Sequence, residues 1–267
     1  MASLIHPSAI IEPGAQLGAD VRIGPFCHIG PQVRLGDRVE VKSHVVITGD
    51  TEIGADCVIY SFAVIGEIPQ DLKFRGEATR LVIGARNRIR ENVTMNTGTE
   101  GGGGVTRVGD DGLFMAGCHI AHDVQIGDRV IIVNSSAIAG HCVIGDDVIV
   151  GGLSGVHQFV RIGQGAMIGA LSMVTHDVIP HGLVQGPRAE LDGLNLVGLK
   201  RRGVARADIA ALRAAFLGLS RGDGAFQTRA RALAEAGDTA EIRQIIAFVT
   251  AGSDRSFLTP RPTASGR

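Results

Sequence analysis

An aliphatic residue recurs at every sixth position along most of the chain, and this period constrains the fold more than any other feature. The period is kept from Ile5 to Ile65, resumes in phase at Ile83 and, after a shift of one residue, runs from Val108 to Val174. Glycine often follows the aliphatic residue, where a turn needs a permissive backbone. A small or β-branched residue stands two positions before each aliphatic one, so both side chains point to the same side of a short strand. Each six-residue unit is therefore predicted to be a short strand followed by a turn.

A chain that turns every six residues and stacks on itself forms a parallel β-helix, and we predict this fold. Three units per coil place residues n and n+18 one above the other, with coils about 4.8 Å apart. The chain has 38 glycines, one tyrosine and no tryptophan, which indicates a core of small and branched aliphatic side chains. The crossover rule for parallel strands favours right-handed winding. The repeat predicts a mainly β fold but does not by itself fix its handedness.

Two segments, 66–80 and 98–107, interrupt the repeat, and the register resumes after each. We expect both to be loops extruded from the β-helix, where insertions often carry binding residues. The repeat ends after Pro180, and apolar residues then recur at spacings of three and four, which is typical of helices. The predicted helices are Val204–Ser220, Phe226–Ala236 and Thr239–Thr250. The expected organisation is a β-helix over 1–190 and a small C-terminal α-helical domain over 191–267.

Charge and cysteine content narrow the functional classes. Residues 188–267 carry thirteen Lys/Arg against eight Asp/Glu, a net +5, whereas the first 187 residues carry thirteen against nineteen. Without a basic run this charge does not indicate nucleic-acid binding, but it suits an acidic protein partner. We find no signal peptide and no apolar run of about 18 residues, so we expect a cytoplasmic protein without a transmembrane segment. The four cysteines occupy the small inward position without metal-ligand spacing, so we expect them to be buried.

The histidines avoid the inward positions, and several collect in the second half of the β-helix. His122 lies in GCHIAHD and His141 in AGHC. The 18-residue stacking puts Gly140 one coil above His122, Gln158 one coil above Gly140, and Asp123 under His141. A base, a carboxylate and hydrogen-bond donors on one edge suit acyl transfer, although spacing alone is equally compatible with a merely polar edge. The other outward histidines are expected to be solvated: His6, His28, His44, His176 and His181.

The motif GCHIAHD, the loop IPQDLKFRGEATRLVIG and the segment GLNLVGLKRRG resemble the UDP-N-acetylglucosamine acyltransferases that open lipid A biosynthesis. The resemblance covers residues 3–220. It implies a left-handed parallel β-helix, a homotrimer with active sites between subunits, and no metal or cofactor. It further implies transfer of a 3-hydroxyacyl chain from acyl carrier protein to the 3-hydroxyl of UDP-N-acetylglucosamine. Basic residues of the C-terminal domain would meet the acidic carrier protein.

The same resemblance implies roles for individual residues. His122 matches the catalytic base, Asp123 would orient its imidazole, and the Gly140 N–H matches the oxyanion donor. Positions that match the nucleotide-sugar site are Asp71, Lys73, His119, His141, Gln158, Asn195, Arg201 and Arg202. Positions that match the acyl-chain groove are Met167, Ala170 and Arg188. Many relatives carry Gly at position 170 and His-Arg-Gly-Thr where this chain has Asn96-Thr97-Gly98-Thr99, so acyl-chain length and the contacts of that segment stay open.

Three other readings compete with this one. The related N-acyltransferase of the same pathway normally has an additional N-terminal sugar-binding domain, whereas here the repeat begins at Ile5. A γ-type carbonic anhydrase holds zinc between subunits, but its ligand spacing differs from that of His119, His122 and His141. A non-enzymatic β-helix scaffold would leave the polar edge and both loops without a role.

Overall fold

The computed structural model describes residues 4–221, 224–235, 237–253 and 255–260. Short strands form three sheets, here called faces A, B and C, which enclose a single core. Face A contains Leu4–Ile5, Arg22–Ile23, Glu40–Val41, Val58–Ile59, Arg88–Ile89, Leu113–Phe114, Ile131–Ile132, Ile149–Val150, Met167–Ile168, Gly182–Gln185 and Glu190–Leu194. Face B contains Ile10–Ile11, His28–Ile29, Val46–Ile47, Val64–Glu67, Thr94–Asn96, His119–Ile120, Ala137–Ile138, Gly155–Val156 and Met173–Val174. Face C contains Gln16–Leu17, Arg34–Leu35, Asp50–Ile53, Arg80–Ile83, Val105–Val108, Gln125–Ile126, Val143–Ile144 and Arg161–Ile162.

Neighbouring strands on each face are parallel and lie one coil apart. Gln125 pairs with Val143, eighteen residues later, which confirms the predicted coil length. Across the first loop the spacing grows to thirty, since Val58 pairs with Arg88. The strands that flank the first loop include its predicted ends, so the loop contains only residues 68–79. The second loop is also shorter than predicted, because a strand begins at Val105. The last pair of strands on face A is antiparallel and ends the β-helix.

The aliphatic residues of the repeat fill the core together with the small residues two positions before them. Ile23 and Val21 are both buried, and so are all four cysteines, as predicted. Fully burying one Ile or Val side chain contributes about 1.5–3 kcal/mol. Because each coil adds several such residues, the stability of the β-helix grows coil by coil.

The turns differ from the prediction in one respect. Except at Gly66 (φ 83°), where the first loop departs, the glycine after the aliphatic residue does not have a positive φ. It is required because the coils stack closely: a Cβ on Gly18 would lie 2.7 Å from the carbonyl carbon of Gly36 in the next coil. The left-handed position comes two residues later and carries ordinary residues, such as Asp20 (φ 59°) and Asp123 (φ 60°). Tight stacking of the coils therefore overrides the usual cost of this conformation, about 1–2 kcal/mol per residue.

We name each edge of the β-helix after the faces that its turns join. Edge AB carries Phe26 and His44, edge BC carries His122 and Asp123, and edge CA carries Arg38. Edge BC is the one that the sequence analysis singled out, and both loops emerge beside it.

The C-terminal part is helical. The helices are α1 (Leu196–Arg201), α2 (Arg206–Arg221), α3 (Phe226–Ala232) and α4 (Ala240–Thr250), with 3-10 turns at Glu100–Gly102 and Leu233–Glu235. The apolar spacing of α2 buries Ile209, Leu212, Ala215 and Leu219 on one side. The sequence analysis missed α1, and its predicted helix end at Ala236 lies outside the described residues. The domain boundary between residues 190 and 191 stays a prediction. None of the described helices is long and apolar enough to cross a membrane.

Candidate active site

Edge BC brings a histidine and a carboxylate into direct contact. His122 Nδ1 lies 2.8 Å from Asp123 Oδ2, and the two side chains are 7% and 1% exposed. An ionised carboxylate can only accept a hydrogen bond, so Nδ1–H of His122 donates to it. Nε2 of the neutral imidazole is then left with a free lone pair. This is the protonation state that a general base requires.

The second loop covers Asp123 from outside. The Thr99 N–H donates to Asp123 Oδ1 (2.8 Å) and the Thr99 hydroxyl to Oδ2 (2.5 Å). A Cβ on Gly102 would lie only 2.0 Å from Asp123 Cγ, so the glycine-rich loop rests directly on the carboxylate. His122 therefore points away from the core as predicted but is not solvated, being 6% exposed. The sequence analysis named Asp123 as the partner of His122 but did not predict the bonds from Thr99, although the glycines beside Thr99 indicated a close approach of the chain.

Gly140 lies against the imidazole, as the 18-residue stacking predicted. A Cβ at this position would lie 2.5 Å from His122 Cε1 and 2.7 Å from Nε2, so a larger residue would displace the ring. Within the described residues, the Gly140 N–H donates to no hydrogen-bond acceptor. Gly140 lines the same cavity as His122, which leaves this N–H available to a ligand.

A cavity of about 420 Å³ opens in front of His122. His119 and Gln158, both predicted binding residues, line it together with Gln70 of the first loop. Thr94 Oγ1 lies 2.7 Å from His119 Nδ1, and burial lowers the pKa of His119, with the charge of His122 adding to the effect. His119 is therefore neutral at physiological pH and can both donate and accept.

His141 packs beside this cavity. Its ring is perpendicular to that of His122 at a centroid distance of 4.9 Å and is stacked on Phe159 at 4.5 Å. Burial lowers the pKa of His141, while the nearby carboxylate of Asp123 opposes the shift. The charges of Asp71 and Lys73 also act on His141, so the first loop brings these predicted residues to the same edge.

Asn96 stands where the resemblance predicted histidine, and its side chain is hydrogen-bonded to the start of the first loop. Its side-chain amide donates to the carbonyls of Glu67 (3.2 Å) and Ile68 (3.0 Å), at the start of that loop. Its Oδ1 is buried without a hydrogen-bond partner among the described residues. The asparagine thus fixes the point from which the loop departs.

The remaining predicted residues lie elsewhere on the single chain. A second cavity, of about 610 Å³ on face A, is lined by Met167, Asn195, Arg201 and Arg202. Asn195 is largely occupied within the fold: its Oδ1 accepts from the Gly198 N–H and caps α1, and its Nδ2 donates to a carbonyl. Two predicted groove residues, Ala170 and Arg188, are exposed and line neither cavity. One chain therefore does not gather all the predicted residues into one site.

The C-terminal segment supplies a residue that the sequence analysis missed. Arg255 Nη2 donates to His157 Nδ1 (2.8 Å), and Arg255 Nε donates to the Gln158 carbonyl (3.1 Å). Both partners line the cavity of His122. No local motif marks Arg255, because it reaches the site only through the fold.

Comparisons with known proteins identify the family. The profile described as Udp N-acetylglucosamine O-acyltransferase, Domain 2, matches residues 177–258, and the hexapeptide-repeat profile of bacterial transferases matches residues 2–37 and 14–49. The acyl-[acyl-carrier-protein]–UDP-N-acetylglucosamine O-acyltransferase of Paracoccus denitrificans is 67% identical over 205 residues, 77% of this chain and 78% of the relative. That of Caulobacter vibrioides is 56% identical over 217 residues, 80% of this chain and 82% of the relative. The chain belongs to this family of acyltransferases.

A solved structure supports the same assignment. The UDP-N-acetylglucosamine acyltransferase from Campylobacter jejuni matches with a TM-score of 0.91 and 39% identity, over 96% of this chain and 100% of the other. The fold class is thereby confirmed: this acyltransferase is a left-handed parallel β-helix with a small C-terminal α-helical domain.

Three side chains of the acyltransferase could approach a metal ion together. One ligand atom each from His122, Asp123 and His141 lies within 4.8 Å of the others. This set differs from the three histidines that the carbonic anhydrase reading considered, because it contains Asp123 in place of His119. Both oxygens of Asp123 already accept hydrogen bonds from Thr99, so a metal would have to compete with them.

Three outward histidines are not simply solvated, contrary to the prediction. His28 Nε2 lies 2.6 Å from Glu12 Oε1 on face B. His44 stacks between Phe26 and Phe62 on edge AB. His181 is only 3% exposed, because the helical domain covers it.

Proposed function

We propose that the chain transfers a 3-hydroxyacyl group from acyl carrier protein to the 3-hydroxyl of UDP-N-acetylglucosamine, the first step of lipid A biosynthesis, with His122 as general base. Membership of the family supports the reaction. The observation that supports the mechanism is the arrangement of His122, which is hydrogen-bonded to Asp123 through Nδ1 and faces Gly140 with Nε2.

The reaction needs a proton acceptor and then a proton donor. As the sugar hydroxyl attacks the thioester carbonyl, His122 Nε2 takes its proton and an O–C bond forms. Asp123 stabilises the resulting imidazolium and keeps Nδ1 protonated, and Thr99 in turn holds Asp123. When the tetrahedral intermediate collapses, the C–S bond breaks and the imidazolium returns the proton to the departing thiolate. The products are the O-acylated sugar nucleotide and the free carrier thiol. A positioned base of this kind contributes about 10²- to 10⁴-fold in rate.

The Gly140 N–H is the donor that would stabilise the oxyanion of the tetrahedral intermediate. Gly140 lines the cavity, and its N–H donates to no acceptor in the part of the chain that the structure describes. Because this donor is fixed before the reaction, it costs no reorganisation, and one such donor contributes about 10²- to 10³-fold.

A complete site on this proposal requires a second copy of the chain. The base and its neighbours lie on edge BC and face B, whereas Arg201, Arg202 and Met167 line a cavity on face A. In a homotrimer, face A of one subunit would meet the catalytic edge of the next. Mixing inactive His122→Ala chains with inactive Arg201→Ala/Arg202→Ala chains should then restore part of the activity, because some interfaces would carry two intact halves.

The acidic carrier protein would approach the basic C-terminal region, and the reaction would take place in the cytoplasm. The net charge of +5 over residues 188–267 supports this orientation. Association should weaken as ionic strength rises.

The decisive experiment incubates the protein with UDP-N-acetylglucosamine, or with its 3-amino analogue, and a series of 3-hydroxyacyl carrier proteins. We expect an O-acylated or N-acylated product by mass spectrometry with one acceptor and one favoured chain length. His122→Ala should lower kcat by about 10²- to 10⁴-fold. His28→Ala removes another histidine–carboxylate pair on face B and should leave kcat unchanged.

Absence of product with every donor and acceptor would overturn the proposal, and normal turnover by His122→Ala would overturn the assignment of the base. Activity should also survive prolonged chelation with EDTA. Loss of activity that Zn²⁺ restores would instead support a metal held by His122, Asp123 and His141.

A further inference from the structure

A buried histidine joins the β-helix to the helical domain. His181 has a φ of 59° at the last turn of edge CA and is 3% exposed. Its Nε2 lies 2.7 Å from Gln244 Oε1 on α4, and its Nδ1 lies 3.2 Å from Arg202 Nη2 at the end of α1. The ring thus connects three elements.

The partners determine the tautomer of this ring. A guanidinium can only donate, so Nδ1 of His181 accepts from Arg202. Nε2 must then carry the proton and donate to Gln244 Oε1. Burial lowers the pKa of His181; the Gln244 bond opposes this, and the charge of Arg202 lowers the pKa further. The carboxylates of Glu241 and Asp147, the other charged groups that act on it, only partly offset the shift.

The Arg202 guanidinium also lies close to Gly165. A Cβ at this position would lie 2.5 Å from Arg202 Nη2, so a larger residue would displace the guanidinium from its present place. Arg202 and Arg201 both line the face A cavity, and among the described residues neither forms an ion pair with a carboxylate. Asp147, in the same cavity, is already bonded to Arg129 at 2.9 Å. The cavity therefore presents two positive charges that no carboxylate of the described residues pairs with.

We propose that His181 is a positioning residue, which as a neutral imidazole aligns Arg202 for the pyrophosphate of the nucleotide sugar. Protonated His181 would turn an N–H toward Arg202, replace the hydrogen bond by repulsion between two cations, and release the guanidinium. The inference rests on the proposed function, because the pyrophosphate is the anion of that substrate.

The test measures equilibrium binding of UDP-N-acetylglucosamine by calorimetry, without turnover. His181→Leu removes the acceptor but keeps an apolar side chain, and leucine is already tolerated at the equivalent turn position of Leu153 (φ 58°). We expect Kd to rise about 10-fold, within the range of a hydrogen bond to a charged group. In the acylation assay KM for the sugar nucleotide should rise similarly with kcat nearly unchanged. His181→Asn, which suits a left-handed turn and offers an acceptor, should recover most of the affinity.

The pH dependence separates positioning from a structural role. The pyrophosphate diester keeps its charge between pH 8 and 5, so the ligand itself does not titrate. Wild-type affinity should fall as pH drops below the usual pKa of histidine, about 6.5, whereas the affinity of His181→Asn should fall less. Circular dichroism and Tm of each variant check that it is folded.

Wild-type affinity in folded His181→Leu, or identical pH profiles for wild type and His181→Asn, would overturn the inference. Absence of UDP-N-acetylglucosamine binding to the wild-type protein would instead count against the proposed function.

Discussion

Edges BC and CA of the β-helix have the same turn but use it differently. On edge CA the residue with positive φ alternates in charge from one coil to the next: Asp20, Arg38, Asp56, Arg86, Asp111, Arg129 and Asp147. Each arginine bonds the aspartate above it, as in Arg38–Asp56 (2.7 Å) and Arg86–Asp111 (2.7 Å). On edge BC the same position holds Asp123, which is buried and pairs with no Arg or Lys among the described residues.

The difference shows how one edge of a regular fold comes to hold reactive groups. Most of the charges on edge CA are exposed and each is close to one of opposite sign, so little net charge is available to a ligand. Asp123 is covered by the second loop, and its partners are His122 and Thr99, so its charge acts on a neutral imidazole instead of an arginine. A buried carboxylate without a permanent cation is costly unless it is well hydrogen-bonded, and such groups cluster at functional sites.

The difference between the two edges is tested most directly by making the same substitution on each. Asp123→Asn and Asp111→Asn replace residues with φ of 60°, which asparagine tolerates. Asp123→Asn should lower kcat by about 10³- to 10⁴-fold, because the amide no longer fixes the tautomer or stabilises imidazolium. Asp111→Asn should leave kcat unchanged. Equal kcat for the two variants in the acylation assay would show that the edges do not differ in function.

The cover over Asp123 can be tested with two adjacent glycines. Gly102→Ala would place a Cβ 2.0 Å from Asp123 Cγ and so lift the second loop, whereas a Cβ on Gly101 would meet nothing within 4 Å. We expect Gly102→Ala to lower kcat about 10- to 100-fold, since Thr99 would lose its two bonds to the carboxylate. Gly101→Ala serves as the matched control. Equal activity of both variants would mean that the cover does not support catalysis.

The period-six pattern predicted the β-helix, the coil length and the buried cysteines, because stacking and burial act at every coil. It also predicted that Gly140 would meet His122, since the two are one coil apart, while Asp123 directly follows His122 in the sequence. It could not predict Thr99 over Asp123 or Arg255 beside His157, because loops and the C-terminal segment follow no period. The sequence analysis expected His181 to be solvated, and it could not foresee its burial, because that burial depends on the packing of α4 against this turn.

The buried histidines and the Arg–Asp pairs of edge CA should also respond to acid in different pH ranges. Burial lowers the pKa of His119, His141 and His181, so the unfolded chain takes up protons near pH 6.5 and the folded protein only at lower pH. Stability should therefore be full above that pH and fall as pH drops toward 5. The bonds from Arg38 and Arg86 lower the pKa of Asp56 and Asp111, so their contribution is lost only as pH falls below about 4.

Tm measured between pH 8 and 3 checks this order. His141→Gln should flatten the decrease between pH 7 and 5, and Asp111→Asn should change only the decrease at lower pH. A flat Tm of the wild-type protein down to pH 5 would contradict the predicted histidine contribution.

The smallest expected effect is the loss of one arginine from edge CA. Arg86 bonds Asp111 and Asp110 at the exposed surface, where water and salt screen the pair. Arg86→Met keeps the aliphatic part of the side chain and should lower Tm by at most about 2 °C at low ionic strength, with kcat unchanged. The difference from wild type should vanish in high salt. A larger loss that persists in high salt would mean that the charges of edge CA hold the coils together, and that this edge differs from edge BC less than the two patterns of hydrogen bonds indicate.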